Sequence, residues 1–389
     1  MNEVNNILFA LLRSAVFSHE LDSGLLESFD SEKLDELYSL SKKHDLAHLV
    51  AAALDKENLS DDGETGKRFS DEIFAALYRV ENQIYETERI CHALSAAKID
   101  HIPLKGAIIR DLYPEKWMRT SCDIDILVRE CDLSRATEVL KNELKYTCDE
   151  KKDFHDVHLF SENGIHLELH FNIRENDPQL DNVLDRAWEY AHPLDKNSFE
   201  YRMTPEFLIY HIVAHASYHF VGGGCGIRPF LDLFLLLKED FDPDILHQLC
   251  ADSGIDEFFT AMKHLSDVWF GESEHTPLTA RMEEYVLSGG VYGTREANVA
   301  ARQDARGGKM GYIISRIFVS YDHLRRRYPT LRSRVAVPVY QARRWIDLMR
   351  NKSLSHSFDE LEVTRNLDKE KVREVNSLMR DLKLSEHIK

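Results

Sequence analysis

The chain has no apolar run approaching the roughly 18–20 residues needed to span a bilayer, so a membrane-embedded protein is not expected. Its first residues, Met1 to Phe9, carry no basic stretch and acidic residues follow soon after. That pattern lacks the features of a signal peptide, and a cytoplasmic protein is expected. None of the six cysteines, at 91, 122, 131, 148, 225 and 250, is spaced as Cys-x-x-Cys. This argues against a zinc knuckle, and so low a cysteine density argues against a disulfide framework. Basic residues are also in deficit, with 49 Lys and Arg against 67 Asp and Glu, a net charge of -18. An acidic surface repels phosphate backbones, so long nucleic acid is not an expected partner. No internal repeat or low-complexity tract is visible.

What is present fits a soluble globular protein of more than one domain. At 389 residues, 43% hydrophobic and 30% charged, the chain exceeds a single simple core. Residues 1–98 read as a helical region. Phe9, Leu12 and Val16, then Leu34, Leu37 and Tyr38, recur at helical spacing, and Phe69 to Ala97 form one long amphipathic pattern. A break is expected at Asp61-Asp62-Gly63. Residues 99–200 change character. Ile102-Pro103-Leu104 is extended, Ala107 to Leu112 is a short helix, Asp123 to Val128 a strand and Leu133 to Leu144 a helix. Val157 to Phe160 and Ile165 to Ile173 read as a hairpin turning at Asn163-Gly164, where both residues tolerate positive φ. Residues 201–350 return to helix, with candidates at Phe207–Phe220, Pro229–Leu237, Ile245–Ala251 and Phe258–Phe270. Residues 351–389 form a charged tail, expected to be a peripheral helix or partly disordered. The fold class expected is α+β, a small mixed sheet flanked by N-terminal and C-terminal helical regions.

The chemistry concentrates in the α+β part. Side chains alternate along a strand, so Asp123 and Asp125 share one face while Ile124, Ile126 and Val128 share the other. The aspartate Cα atoms are then about 6.5–7 Å apart, two strand steps, close enough for both carboxylates to meet a divalent ion. In the later strand Ile165, Leu167, Leu169 and Phe171 make an apolar face opposite His166, Glu168 and His170. A neighbouring strand carrying Glu168 beside Asp125 completes a three-carboxylate set. Such a set suits Mg²⁺, a hard cation that takes oxygen ligands, and two ions can stabilise both attacking and departing oxygens. Leu104-Lys105-Gly106-Ala107 closes a strand and opens a helix. There Gly106 permits close approach to phosphate and the helix start offers free N–H groups. Lys105, Arg110 and Arg119 are the cations expected at a triphosphate. Each signal alone has a plain alternative: Asp-x-Asp occurs by chance, Lys-Gly is usually a turn, and Glu168 can be a solvated strand residue. Their order along the chain gives them joint weight.

Three segments together resemble the DNA polymerase β-like nucleotidyltransferase superfamily, and within it the bacterial uncharacterised nucleotidyltransferase family. They are Pro103-Leu104-Lys105-Gly106, Arg119-Thr120-Ser121-Cys122-Asp123-Ile124-Asp125-Ile126-Leu127-Val128 and His166-Leu167-Glu168-Leu169-His170. His215, the stretch Arg228 to Asp232 and Gly289-Gly290 extend the likeness into the helical part, so that it covers roughly residues 80–350. The resemblance implies two Mg²⁺ ions held by Asp123, Asp125 and Glu168. It implies a nucleoside triphosphate contacted by Lys105, Gly106, Arg119 and Ser121, and transfer of a nucleoside monophosphate to an unidentified hydroxyl on a small molecule, protein or tRNA end. The superfamily loop usually reads Gly-Ser or Gly-Gly. Here Ala107 follows Gly106, so a serine hydroxyl is missing, and a catalytically quiet nucleotide-binding or interaction protein of the same fold is the competing expectation.

His211, His215 and His219 share one helical face. No Glu follows His211 as a zinc protease requires, so packing on the catalytic part, with His215 lining the cleft, is expected rather than a metal site. Gly222-Gly223-Gly224 lacks a following Lys-Ser/Thr and reads as a turn or hinge. Arg228 and Asp232 read as an ordinary surface pair, and Arg325-Arg326-Arg327 and Arg343-Arg344 as solvated basic runs.

Overall fold

Five strands form one mixed sheet in the order β1-β2-β5-β4-β3: β1 His101–Pro103, β2 Ile124–Val128, β3 Thr147–Lys152, β4 Asp156–Phe160 and β5 His166–His170. These positions come from a computed structural model that describes residues 3–22, 24, 30–59, 63–152, 155–305, 307–350 and 363–388. β2 and β5 run parallel, and every other pairing is antiparallel. Alternation builds the core. Ile124, Ile126 and Val128 of β2, Leu167 and Leu169 of β5, and Val157 and Leu159 of β4 are buried in one cluster. Leu133, Ala136 and Leu140 of helix Leu133–Glu143 and Ile90 and Leu94 of helix Glu64–Ala96 cover it. β4 and β5 form the expected hairpin, with Gly164 at φ +78 in the turn. β3 is missing from the sequence reading. Its sequence, Thr-Cys-Asp-Glu-Lys-Lys, has little β propensity, and such charged stretches suit an edge strand that must not recruit another.

The chain divides into two compact units. The first comprises Met1–Ala216 and Ile227–Thr279. It holds the sheet, the amino-terminal helices Glu3–Phe17, Ser31–Lys43, Ala47–Lys56 and Glu64–Ala96, and the helices Arg228–Leu236, Pro243–Asp252 and Asp256–Phe270. Phe9 stacks on Trp269 at 4.7 Å between ring centroids, which ties the first helix to helix Asp256–Phe270. A small antiparallel pair, β6 Ala191–Pro193 and β7 Tyr201–Met203, sits beside β1. Of the expected break at Asp61-Asp62-Gly63, the two aspartates lie outside the described residues; Gly63 directly precedes the long helix.

The second unit comprises Ser217–Gly226 and Ala280–Lys389. Its glycines pack backbone on backbone. A Cβ on Gly293 would lie 2.3 Å from the Gly223 carbonyl carbon, and Thr294 N–H donates to Gly223 O. The glycine triplet is therefore a close-packing turn. Residues 351–362 lie outside the described residues, but Lys369–Asp381 is a packed helix with Val375, Leu378 and Met379 buried. Apolar residues are sparse there, yet they fall at i, i+3 and i+4 and so form one stripe. Asn376 Nδ2 donates to Ala300 O at 3.1 Å. Among the described residues no helix is long and apolar enough to cross a membrane.

Candidate functional site

β2 and β5 lie in parallel register with Asp125 directly opposite Glu168. Because both residues belong to the face opposite the core, their carboxylates project to the same side. Asp123 is the residue before β2, on that same side. His170 follows Glu168 by two and joins them: its Nε2 donates to Asp125 Oδ1 at 2.8 Å and lies 3.5 Å from Glu168 Oε2. Ligand atoms of Asp125, Glu168 and His170 all lie within 4.8 Å of one another.

Lys105 reaches this group from the other flank. Leu104 N–H donates to Asp125 O at 3.0 Å, which prolongs the β1–β2 pairing by one residue and sets Lys105 beside Asp125. Its Nζ stands 3.6 Å from Asp125 Oδ1. The Lys105 backbone has φ 39 and ψ -112. That conformation is sparsely populated by non-glycine residues and costs of order 1–3 kcal/mol. Strain of this kind persists only where the surroundings enforce it.

The electrostatics are those of a site with surplus negative charge. Burial first, and then Asp125, Asp123 and Asp156, push the Glu168 carboxyl up to about 8 while Lys105 opposes them. Asp123 is raised for the same two reasons, burial first and then Asp125. For Asp125 burial works upward, but Lys105 and the His170 hydrogen bond outweigh it and hold the group well below the usual range. Burial opposes the charge of Lys105, yet the surrounding carboxylates win and raise its pKa. One lysine thus faces Asp123, Asp125 and Glu168, with Asp156 behind them.

The neighbouring strand extends the polar face, a feature the sequence reading passed over. Asp156 pairs with His170 across β4–β5 and His158 pairs with Glu168. His155 Nε2 lies 3.0 Å from Asp156 Oδ2, and His158 Nδ1 lies 2.8 Å from His166 Nε2. Period-two spacing of Asp156, His158 and Phe160 was the available signal.

Five expected features are placed differently. Arg119 is buried and committed to Asp232: Nε to Oδ1 at 3.2 Å and Nη2 to Oδ2 at 2.9 Å, with Tyr113 Oη donating to Oδ1 at 2.7 Å. Arg110 is buried too, donating to Gly106 O and Gln83 Oε1. Neither guanidinium is a free phosphate clamp. Ser121 Oγ bonds to Gln83 Oε1 at 3.0 Å and Asp123 O at 2.9 Å, so it shapes the approach to β2. The helix opened by Gly106 ends at Ile109 and continues only as a 3-10 turn to Leu112, too short for a strong dipole. Arg228 and Asp232 are not paired with each other. Arg228 Nη2 instead donates to Asp45 and to Thr120 Oγ1 at 3.0 Å, because helix Arg228–Leu236 lies against the 119–121 segment. Gln83, on the long helix, donates from Nε2 to Ser121 O at 3.0 Å. It fixes the loop that delivers Asp123 and carried no signal in the sequence.

Gly106 lies at the centre of this support. A Cβ there would stand 3.2 Å from Arg119 Nη1 and 3.3 Å from Ser121 Oγ, so the turn is closely packed from behind. His211 is buried with its pKa lowered to about 3 by burial first and then Lys105. His215 Nδ1 contacts Glu175 Oε1 at 2.6 Å.

Residues 30–271 match the family described as uncharacterised nucleotidyltransferase. The chain belongs to that family. The matched span contains Lys105, Gly106, Asp123, Asp125, Glu168 and His170, together with the Arg119–Asp232 pair. No curated protein matches the sequence. Among solved structures the chain is similar to a Thermotoga maritima CCA-adding enzyme complexed with tRNA, at 14% identity, over 79% of this chain and 84% of that chain, with a TM-score of 0.21.

Proposed function

We propose that this family member transfers a nucleoside monophosphate from a nucleoside triphosphate to a hydroxyl acceptor, with Mg²⁺ held by Asp123, Asp125 and Glu168. The observation that carries this reading is the parallel register of Asp125 with Glu168. It gathers carboxylates in a half-buried site, where burial first and then Asp125, Asp123 and Asp156 raise Glu168 to about 8. A cluster of hard oxygen donors with unneutralised charge fits a divalent cation. When bound, the metal supplies a Lewis acid for the phosphate oxygens and a counter-charge for the pyrophosphate.

The chain's own residues divide the remaining work. Lys105 is the cation placed to meet the triphosphate at the flank of the carboxylates. His170 orients Asp125, and Asp156 lies 3.9 Å behind the other His170 nitrogen. The acceptor oxygen forms a bond to the α-phosphorus as the bond to the β-phosphate oxygen breaks and pyrophosphate leaves. The acceptor proton passes to a Glu168 carboxylate oxygen at the edge of the site. Gln83 and Ser121 hold the loop before Asp123, and the Arg119–Asp232 pair supports the Gly106 turn.

A second reading rests on one specific observation. Asp125 is already engaged by two protein groups, Lys105 and His170, as suits a catalytically quiet nucleotide-binding protein in which protein groups stand where a metal would. Calorimetry separates the two. Triphosphate binding that requires Mg²⁺ and releases pyrophosphate supports transfer, whereas binding indifferent to Mg²⁺ with no release supports the quiet protein.

A further inference from the structure

A second cluster of potential ligands lies at the opposite end of β2. His101 opens β1 and pairs with Val128, three residues beyond Asp125 and so about 10 Å further along the strand. Cys91 comes from the last turns of helix Glu64–Ala96, and Glu200 directly precedes β7. His101 N–H donates to Phe199 O at 2.9 Å and His101 bridges to Glu200, which brings the three elements together. One ligand atom from each of Cys91, His101 and Glu200 lies within 4.8 Å of the others.

His101 supplies the decisive detail. It is wholly buried, at 0% exposure. Its Nδ1 lies 2.9 Å from the Ile99 carbonyl oxygen, which can only accept, so Nδ1 carries the proton and the lone pair sits on Nε2. That Nε2 is buried and has no hydrogen-bond partner. Buried polar atoms are normally satisfied, and a backbone carbonyl on the far ring nitrogen is how proteins orient a metal-binding imidazole. Glu200 is similarly oriented, with Arg202 Nη2 on its Oε1 at 2.7 Å.

We propose that Cys91, His101 and Glu200 form a binding site for a zinc-type divalent ion, separate from the carboxylate site. The donor set of sulfur, nitrogen and oxygen suits a borderline-soft tetrahedral ion and not Mg²⁺. Water takes the fourth position. On binding, the Cys91 S–H bond breaks, the proton leaves to solvent, and the sulfur lone pair forms the metal–sulfur bond. Thiolate and carboxylate then offset the two charges of the ion, with Arg202 on the Glu200 Oε1. The ion links the long helix, β1 and the β6–β7 pair. No local spacing marks the site, because the ligands come from three separate elements.

The test is Co²⁺ titration of the metal-stripped full chain under reducing conditions, followed by absorption spectroscopy. A thiolate-to-cobalt charge-transfer band in the near ultraviolet, saturating at one ion per chain, is expected. The band is lost in Cys91→Ser and weakened at least about tenfold in apparent affinity in His101→Gln and Glu200→Gln. It is retained in Asp125→Asn. Binding by the histidines of β4 and β5 gives no sulfur band, so those residues do not mimic the result. Should Cys91→Ser fail to fold, Glu200→Gln, checked by circular dichroism, gives the reading. Absence of the band in the native chain, its survival in Cys91→Ser, or unchanged affinity in folded Glu200→Gln overturns the proposal.

Discussion

Replacing Asp232 by Ala isolates the support beneath the candidate site. Asp232 and Arg119 are both buried and joined by two hydrogen bonds of 3.2 and 2.9 Å. Tyr113 Oη adds a third at 2.7 Å. Burial works against the charge on Arg119, and Asp232 and Tyr113 outweigh it, raising its pKa. Removing the carboxylate leaves a buried guanidinium without a counter-charge, which costs about 3–5 kcal/mol. Loss of the Tyr113 acceptor adds roughly 1 kcal/mol. The penalty comes from the stranded charge and not from the net worth of the pair. The double variant Arg119→Met with Asp232→Leu is therefore expected to recover most of the loss. Urea unfolding followed by tryptophan fluorescence reads the first unit, because Trp117, Trp188 and Trp269 lie there. A cost below about 1 kcal/mol for Asp232→Ala, the size of a solvent-exposed pair, would refute the reasoning. So would a double variant no better than the single one.

Two further outcomes follow from the same physics. His48 is buried, its Nε2 lies 2.9 Å from Met118 O, and burial lowers its pKa to about 4 despite that bond. Its folded pKa lies below the unfolded value near 6.5, so its contribution is present above pH 6.5 and is lost as pH falls towards 4. At pH 5 the loss is about 2 kcal/mol, and urea unfolding of His48→Gln at pH 7 and pH 5 should show a pH-dependent drop smaller by that amount; an identical drop contradicts the assignment. Lys105→Met removes the charge beside Asp125 while keeping the stem, and triphosphate affinity measured by calorimetry should fall at least about tenfold, the scale of one charge-assisted hydrogen bond. Unchanged affinity would mean that Lys105 serves the carboxylates alone.

The face of each strand was legible because its signal is local. Alternation in Ile124–Val128 and His166–His170 assigned the core side, and Asn163-Gly164 marked the hairpin. Both depend on period-two patterning and turn chemistry, which neighbours in sequence determine. The helices around them followed from apolar spacing in the same way. What the sequence concealed was long-range pairing. Arg119 resembles a phosphate ligand until Asp232, 113 residues later, is seen against it. Gln83 is one polar residue in a long helix until it meets Ser121. The polar face of β4 carries no motif of its own, and the charged residues of β3 lack strand propensity. The packed helix at Lys369–Asp381 shows that a low apolar fraction still suffices when the apolar residues share a stripe.

The most direct test of the central claim is nucleotidyl transfer itself. The full chain is incubated with α-phosphate-labelled nucleoside triphosphates, Mg²⁺ and cell extract, and label on acceptor is measured with released pyrophosphate. The account predicts Mg²⁺-dependent labelling that disappears in the folded Asp123→Asn, Asp125→Asn double variant. Labelling that survives the double substitution would contradict it.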